Sequence, residues 1–278
     1  GSIFKPNNKS TLPEYKDNRF KFILFGRWDY RKSTKEIIES FLQEFNEDEP
    51  VDLIVSIDNP YAKDEFKSTE NRLKNYNLND PRIKIKHFPT RKEYIKYLQK
   101  GHVFLSCARS EGWNLPLIEA MACGTPSIYS NCSAQLEFAE GLGLPVNILS
   151  TSKAKKGEYS SFSQEMLEGE FYDPDFNDLK KVMRDAYINY KKHKKRALKE
   201  SIEIREKFTW ENAAKIAGKE IEDLLESLPK NKVEISFNLG PKVEVLGHHN
   251  NKYFVEFIDG STNKTLHSST ISNNMWTK

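Results

Sequence analysis

The stretch that decides the fold is residues 106–126, SCARSEGWNLPLIEAMACGTP. It begins at the end of an apolar run of strand length and continues through a loop that contains a glycine. Asn114 is placed to cap a helix, Pro116 falls in the first turn, where its missing N–H costs nothing, and Gly124 is expected at the helix end. The pattern therefore predicts a strand, a loop, a short helix and a turn, with a further strand beginning at Pro126.

Two carboxylates bracket the predicted start of this helix. Glu111 lies in the loop before the helix and Glu119 about one turn inside it, with seven residues between them. The amino end of a helix offers free backbone N–H groups and the positive end of the helix dipole, which suit an anion such as phosphate. The carboxylates can accept hydrogen bonds from hydroxyl groups, and the backbone amides can donate to a diphosphate. Together these groups suit a sugar nucleotide.

The Glu-x7-Glu unit and the string from Gly112 to Pro126 carry a family resemblance. They resemble the signature of the group 1 (family 4) retaining glycosyltransferases, which have the GT-B fold. The resemblance covers residues 3–227 and implies the donor-binding half of such an enzyme. It implies transfer of a sugar from a nucleoside-diphosphate sugar to a glycan, lipid or protein acceptor, as in polysaccharide biosynthesis.

Strand-length apolar runs alternate with amphipathic helical patterns along most of the chain. This alternation predicts an α/β fold with a doubly wound parallel sheet, Rossmann-like, over residues 20–228. Over residues 229–278 the hydrophobic period changes to that of strands, which predicts a small antiparallel all-β appendage of roughly four strands. Residues 1–19 are interpreted as a cloning scar and an interdomain linker. The N-terminal GT-B half is expected to be missing and the appendage to be truncated.

Three cations follow the first predicted strand. The apolar run of residues 20–25 ends at Gly26, and Arg27, Arg31 and Lys32 come before the next helix. Open α/β sheets place ligand-binding groups at the carboxyl ends of their strands. The resemblance implies that Arg27 and Lys32 bind the diphosphate of the donor, and that Arg31 lies beside them.

The resemblance also assigns roles to the remaining candidates. Glu119 should accept hydrogen bonds from the ribose and Glu111 from a hydroxyl of the donor sugar, while backbone at His87 and Phe88 should hold the base. A nucleophilic Glu111 would give retention by double displacement, but its expected hydroxyl contact favours a front-face, ion-pair mechanism. The candidate nucleotide-sugar-binding residues are Gly26, Arg27, Arg31, Lys32, His87, Phe88, Glu111, Gly112, Trp113, Asn114, Leu115 and Glu119. Those assigned to catalysis are Glu111, Arg27 and Lys32.

No metal or other cofactor is expected. Arg27, Lys32 and the helix end at residues 114–116 would stabilise the departing nucleoside diphosphate in place of a divalent cation.

The composition of the chain limits the partners and the cellular compartment that are expected. The net charge of +3 is too small to indicate nucleic acid by itself, and no apolar run reaches the length of a membrane span. Three cysteines without metal-ligand spacing favour a reduced, cytoplasmic compartment. The basic run at residues 191–196 is interpreted as a solvated helix face, and peripheral contact with anionic lipid is the weaker alternative.

Two other readings of the sequence stay open. One is a different enzyme on the same fold, such as a sugar-nucleotide epimerase or a phosphorylase. The other is a non-catalytic module that binds a carbohydrate or a partner. Under the leading hypothesis, the chain by itself should bind donor but should not transfer sugar.

The sequence also predicts elements outside these motifs. A helix is expected at residues 62–76, and a strand at residues 144–149 is followed by a surface loop at residues 150–170. His248 and His249 are assigned to a hairpin turn. The last helix of the α/β part carries an apolar stripe that is expected to be buried: Trp210, Ala213, Ala214, Ile216, Ala217, Ile221 and Leu224.

Overall fold

The computed structural model describes residues 3–7, 18–62, 66–153 and 169–227, and the strands at residues 233–235, 242–249, 252–258 and 265–272. The chain divides into two compact units, residues 1–210 and 211–278. The predicted domain boundary near residue 228 stays a prediction.

A six-stranded parallel sheet forms the centre of the larger unit. The strands are β1 (Phe20–Phe25), β2 (Val51–Ser56), β3 (Ile83–Ile85), β4 (Val103–Ser106), β5 (Ser127–Ser130) and β6 (Leu144–Val146). Their order across the sheet is β3-β2-β1-β4-β5-β6, and every pair is parallel. The order therefore reverses between β1 and β4, which is the switch point where such sheets open a crevice for ligands.

Helices cover both faces of this sheet. They are α1 (Thr34–Glu44), α2 (Thr69–Asn75), α3 (Arg91–Lys100), α4 (Leu115–Ala122), α5 (Leu136–Ala139), α6 (Phe176–Ile188) and α7 (Tyr190–Lys207). Alternate side chains of β1 point to opposite faces. Phe22 and Leu24 join an apolar cluster with α1 and α6, and Ile23 and Phe25 join a second cluster with α3 and α4. The prediction of a doubly wound sheet is confirmed.

Two element predictions are wrong in extent. The helix expected at residues 62–76 begins only at Thr69, because the Ser68 side chain caps it by accepting a hydrogen bond from the Asn71 N–H. The two ends of the range predicted as a loop belong to strands, because β7 (Ile148–Lys153) pairs antiparallel with β8 (Glu170–Pro174). β7 is largely polar and exposed, and β8 buries only Phe171 and Pro174, so no regular apolar alternation marked the pair. Residues 154–168 lie outside the described residues.

The prediction of a buried stripe on the last helix is also wrong. The helix α8 (Trp210–Ser227) forms, but its large apolar side chains are mostly exposed: Trp210, Ile216, Ile221 and Leu224. Periodicity gave the helix correctly, yet periodicity alone does not say whether a stripe meets a neighbour. None of the helices in the described ranges is long and apolar enough to cross a membrane.

The strands of the smaller unit form a four-stranded antiparallel sheet in the order β12-β11-β10-β9. They are β9 (Val233–Ile235), β10 (Lys242–His249), β11 (Lys252–Ile258) and β12 (Thr265–Ser272). The period-2 prediction is confirmed for this sheet. His248 and His249 belong to the end of β10, opposite Tyr253 and Lys252, and not to the turn that was predicted for them.

Candidate functional site

The loop after β1 is anchored to the end of β2. Gly26 ends β1 with φ of +147°, a conformation that residues with a side chain rarely adopt. Its N–H donates to the carbonyl of Ser56 at 3.0 Å, and the N–H of Trp28 donates to that of Ile57 at 2.7 Å. The cations that follow therefore start from a fixed point at the carboxyl edge of the sheet.

Two of these cations meet a carboxylate from the loop after β4. Arg31 Nη1 lies 3.0 Å from Glu111 Oε2, and Lys32 Nζ pairs with Glu111 Oε1. Arg31 Nη1 also donates to the carbonyl of Ser110 at 2.6 Å, and the Arg31 carbonyl accepts from the N–H of Arg109 at 2.7 Å. Glu111 is buried. The structure thus brings Arg31, Lys32 and Glu111 together across the switch point.

Burial gives Lys32 an unusual electrostatic setting. It lowers the pKa of Lys32 below the ordinary value of a lysine, and the nearby charge of Glu111 partly opposes this shift. A second anion beside Lys32 would favour its charged form in the same way.

Arg27 lies apart from that ion-paired group. Its guanidinium carbon is 5.3 Å from the centre of the Tyr61 ring, and the side chain is half-buried. Within the described ranges, no carboxylate forms an ion pair with Arg27. This cation is therefore available to an anion from outside.

Asn114 shapes the start of α4 differently from the prediction. It occupies the N-cap position with φ of +63°, but its side chain makes no capping bond. Instead, Nδ2 donates to Ser106 Oγ at 2.9 Å and to Gln135 Oε1 at 2.7 Å. The predicted position of Asn114 at the start of the helix is confirmed, but its side-chain oxygen accepts no hydrogen bond from the first turn. The amino end of α4 is left without a side-chain cap and suits an anion.

The exposed wall at the start of α4 consists of Gly112, Trp113 and Leu115. Trp113 lies near Phe138 and Phe208, at ring-centre distances of 5.5 and 6.0 Å. Trp113 packs against both rings, and its side chain is still 38% exposed.

Glu119 is held by two side chains of α3. Arg91 Nη2 donates to Oε1, and the Tyr94 hydroxyl donates to Oε2 at 2.7 Å. Glu119 is buried. Sequence reasoning missed Arg91 and Tyr94, although their spacing of three residues places them on one face of a helix and could have marked them.

The segment after β3 gives two different environments. His87 is exposed, and its Nδ1 lies 3.3 Å from Asp58 Oδ2. Phe88 is half-buried among aromatic rings, 4.9 Å from that of Phe25 and 5.8 Å from that of Tyr94. Phe88 contacts Tyr94, which binds Glu119. His87 instead lies at the surface beside Asp58.

Arg109 ties the loop after β4 to its surroundings. The buried guanidinium pairs with Glu36 of α1 at 3.0 Å and with Asp173 of β8, and it lies 4.4 Å from the centre of the Tyr30 ring. The N–H of Tyr172 donates to the Arg109 carbonyl at 3.0 Å. This side chain links α1, the loop after β4 and the β7–β8 hairpin.

One Asp-x-Asp sequence, the kind of motif that metal-dependent transferases use, is present at residues 173–175. Asp173 pairs with Arg109, and Asp175 caps α6 by accepting from the N–H groups of Asn177 and Asp178. In the described part of the chain, no group of three or more His, Cys, Asp or Glu side chains is placed to hold a metal ion.

The sheet order, with its switch point between β1 and β4, defines the fold as Rossmann-like. Residues 7–141 match the family described as "Glycosyl transferases group 1". The resemblance to that family, predicted from residues 106–126, is thereby confirmed for this part of the chain.

Individual proteins agree with this assignment. A putative glycosyltransferase of the Sulfolobus islandicus filamentous virus is 37% identical over 71 residues, which is 24% of this chain and 23% of that protein. Sucrose-phosphate synthase from Thermosynechococcus elongatus superposes with a TM-score of 0.57 at 22% identity, covering 77% of this chain and 47% of that one. Anabaena HepE in complex with UDP and glucose superposes with a TM-score of 0.54 at 16% identity, covering 76% of this chain and 49% of that one.

At these identities the structural likeness establishes the fold alone. The matches span about a quarter of the viral protein and about half of each of the two solved structures.

Proposed function

We propose that this chain binds a nucleoside-diphosphate sugar and forms the donor side of a retaining glycosyltransferase that works without a metal. One observation carries the proposal: Arg31 and Lys32, on the loop after β1, form ion pairs with Glu111, on the loop after β4. Crevices at this point of an open α/β sheet are where nucleotides bind. UDP is the first nucleotide to test, because the similar HepE structure is a complex with UDP and glucose.

The diphosphate is assigned to the cations and the helix end. Arg27, which has no carboxylate partner in the described ranges, and Lys32 would bind its oxygens, together with backbone N–H groups at the start of α4. These groups would stabilise the negative charge that develops on the leaving diphosphate. Ribose hydroxyls are assigned to Glu119, and the base to backbone at His87 and Phe88.

Glu111 is assigned to a hydroxyl of the donor sugar. A carboxylate paired with two cations is a weak nucleophile, and this pairing supports a front-face, ion-pair mechanism over double displacement. The acceptor would be a glycan, a lipid or a protein.

The test is calorimetric binding of UDP and uridine to the Arg27→Ala and Lys32→Ala variants. A charge-assisted hydrogen bond contributes about 1.5–3 kcal/mol, so each variant should lose about tenfold or more in UDP affinity and little in uridine affinity. Lys35→Ala is the matched control, since this nearby lysine pairs with Glu39 along α1. Equal losses for UDP and uridine would contradict the assignment.

A further inference from the structure

Arg91 is the exposed polar group beside Glu119. Both oxygens of the Glu119 carboxylate are engaged, one by Arg91 Nη2 and the other by the Tyr94 hydroxyl. Glu119 is 8% exposed, whereas the side chain of Arg91 is 58% exposed. A ligand that reaches this part of the site therefore meets the guanidinium before it meets the carboxylate.

Aromatic rings hold this guanidinium in place. Its carbon lies 4.9 Å from the centre of the Phe4 ring and 5.2 Å from that of Tyr94. Burial and the charge of Glu119 raise the pKa of Tyr94, so its hydroxyl stays protonated and continues to donate to Glu119. Across the described residues, the hydrogen bond to Glu119 is the one that Arg91 makes. The other N–H groups of Arg91 are therefore available to a ligand.

The position of Arg91 along the site indicates which part of a ligand it meets. Lys32, assigned to the diphosphate, pairs with Glu111 of the loop that leads into α4. Glu119 lies four residues beyond Leu115 on α4, about 6 Å along the helix axis, and Arg91 reaches it from α3. A nucleoside diphosphate that runs from Lys32 past Glu119 brings its base towards Arg91.

We infer that Arg91 determines base specificity by donating hydrogen bonds to a base that presents a carbonyl oxygen, such as uracil or guanine. A guanidinium has donors and no acceptor. It can bind a carbonyl oxygen of uracil or guanine but cannot accept from the amino group of adenine, which offers it ring nitrogens alone, so adenine is disfavoured. This inference rests on the proposed function, because it requires the nucleoside diphosphate to lie along α4.

The test measures binding of UDP, GDP, ADP and pyrophosphate to the wild type and to Arg91→Ala by calorimetry. The wild type should prefer UDP or GDP to ADP by about tenfold or more. Arg91→Ala should remove that preference by weakening the favoured nucleotide, and should leave ADP and pyrophosphate binding within about twofold. Lys92→Ala, which changes the exposed neighbouring cation of α3, is the control and should bind as the wild type does.

Arg91→Lys separates base recognition from the support of Glu119. Lysine keeps a positive charge beside Glu119 but lacks the planar fork of donors. Loss of base preference in Arg91→Lys would support direct recognition, and full recovery of the wild-type preference would overturn it. Unchanged or tighter UDP binding by Arg91→Ala would overturn the inference alone. A wild type that binds none of these nucleotides would overturn the proposed function and this inference with it.

Discussion

Lys32, on the loop after β1, is paired through its ammonium group with the carboxylate of Glu111, on the loop after β4. Arg31 binds the second oxygen of the same carboxylate at 3.0 Å. Lys32, one of the two cations proposed for the diphosphate, is thus paired with the acid proposed for the sugar. A diphosphate must compete with Glu111 for Lys32, and its binding would release Glu111 to accept a hydrogen bond from the sugar.

This competition predicts that Glu111→Gln strengthens UDP binding. Loss of the buried ion pair with Lys32 removes this competition and should tighten UDP binding by roughly two- to fivefold. The intact UDP-sugar should gain less, because its hydroxyl loses a charged acceptor. Calorimetry with both ligands checks this, with Glu137→Gln, an exposed acid of α5, as the control. Weaker UDP binding by Glu111→Gln would show that Glu111 supports the cations instead of competing for them.

UDP affinity should fall at alkaline pH. Burial lowers the pKa of Lys32, and only the protonated lysine attracts a diphosphate, so affinity is greatest below that pKa and declines as pH rises through it. Lys32→Arg should make affinity nearly independent of pH over this range, because a guanidinium stays charged. A binding series from about pH 7 to about pH 10 in both proteins decides the point. Parallel curves would exclude Lys32 as the titrating group.

Lys194 should make stability depend on pH. It is buried on α7, where its Nζ donates to the carbonyl of Gly124 at 2.6 Å, and burial lowers its pKa to about 8. Between this value and the ordinary lysine pKa of about 10.4, the unfolded chain binds one more proton than the folded chain. The free energy of unfolding therefore gains up to about 1.4 kcal/mol per pH unit in that window.

Lys194→Met lacks this titration. The difference in unfolding free energy between wild type and variant should move in favour of the wild type as pH rises from about 8 to about 10. Urea denaturation followed by circular dichroism measures the difference, and Lys195→Met changes an exposed neighbour as the control. A difference that does not change with pH would mean that burial does not lower the pKa of Lys194.

The chain alone should bind donor and should not transfer sugar. The residues proposed to hold the donor lie within residues 26–119, and the chain covers about half of the similar solved structures. Orientation of an acceptor supplies several kcal/mol of a reaction barrier, and no acceptor site is assigned within this chain. Incubation with a UDP-sugar and a crude acceptor, followed by mass spectrometry, tests this. A glycoside product would place an acceptor site within these residues.

Much of the fold could be predicted from local pattern. β1 has the predicted bounds, because a buried parallel strand is a continuous apolar run. The pairing of β7 with β8 was missed, since β7 is polar and exposed and β8 buries only Phe171 and Pro174.

The candidate site was predicted less completely. Arg31, Lys32 and Glu111 were each named, but their ion pairs depend on two loops that are about 80 residues apart in sequence and adjacent only through the parallel pairing of β1 with β4. Arg91 and Tyr94 were missed because the sequence does not say which face of α3 meets α4. Asn114 was placed correctly at the start of α4, but the partner of its side chain was not predicted for a similar reason: Gln135 comes from another loop.

The left-handed backbone of Asn114 has a consequence for engineering the donor preference. Asparagine and glycine tolerate φ of +63°, whereas a bulkier residue there would distort the turn that starts α4. Glycine would also abandon the bonds to Ser106 and Gln135. A mutant library for new sugar donors should therefore hold Asn114 fixed and randomise its exposed neighbours Trp113 and Leu115, which can reshape the wall without disturbing the backbone beneath it.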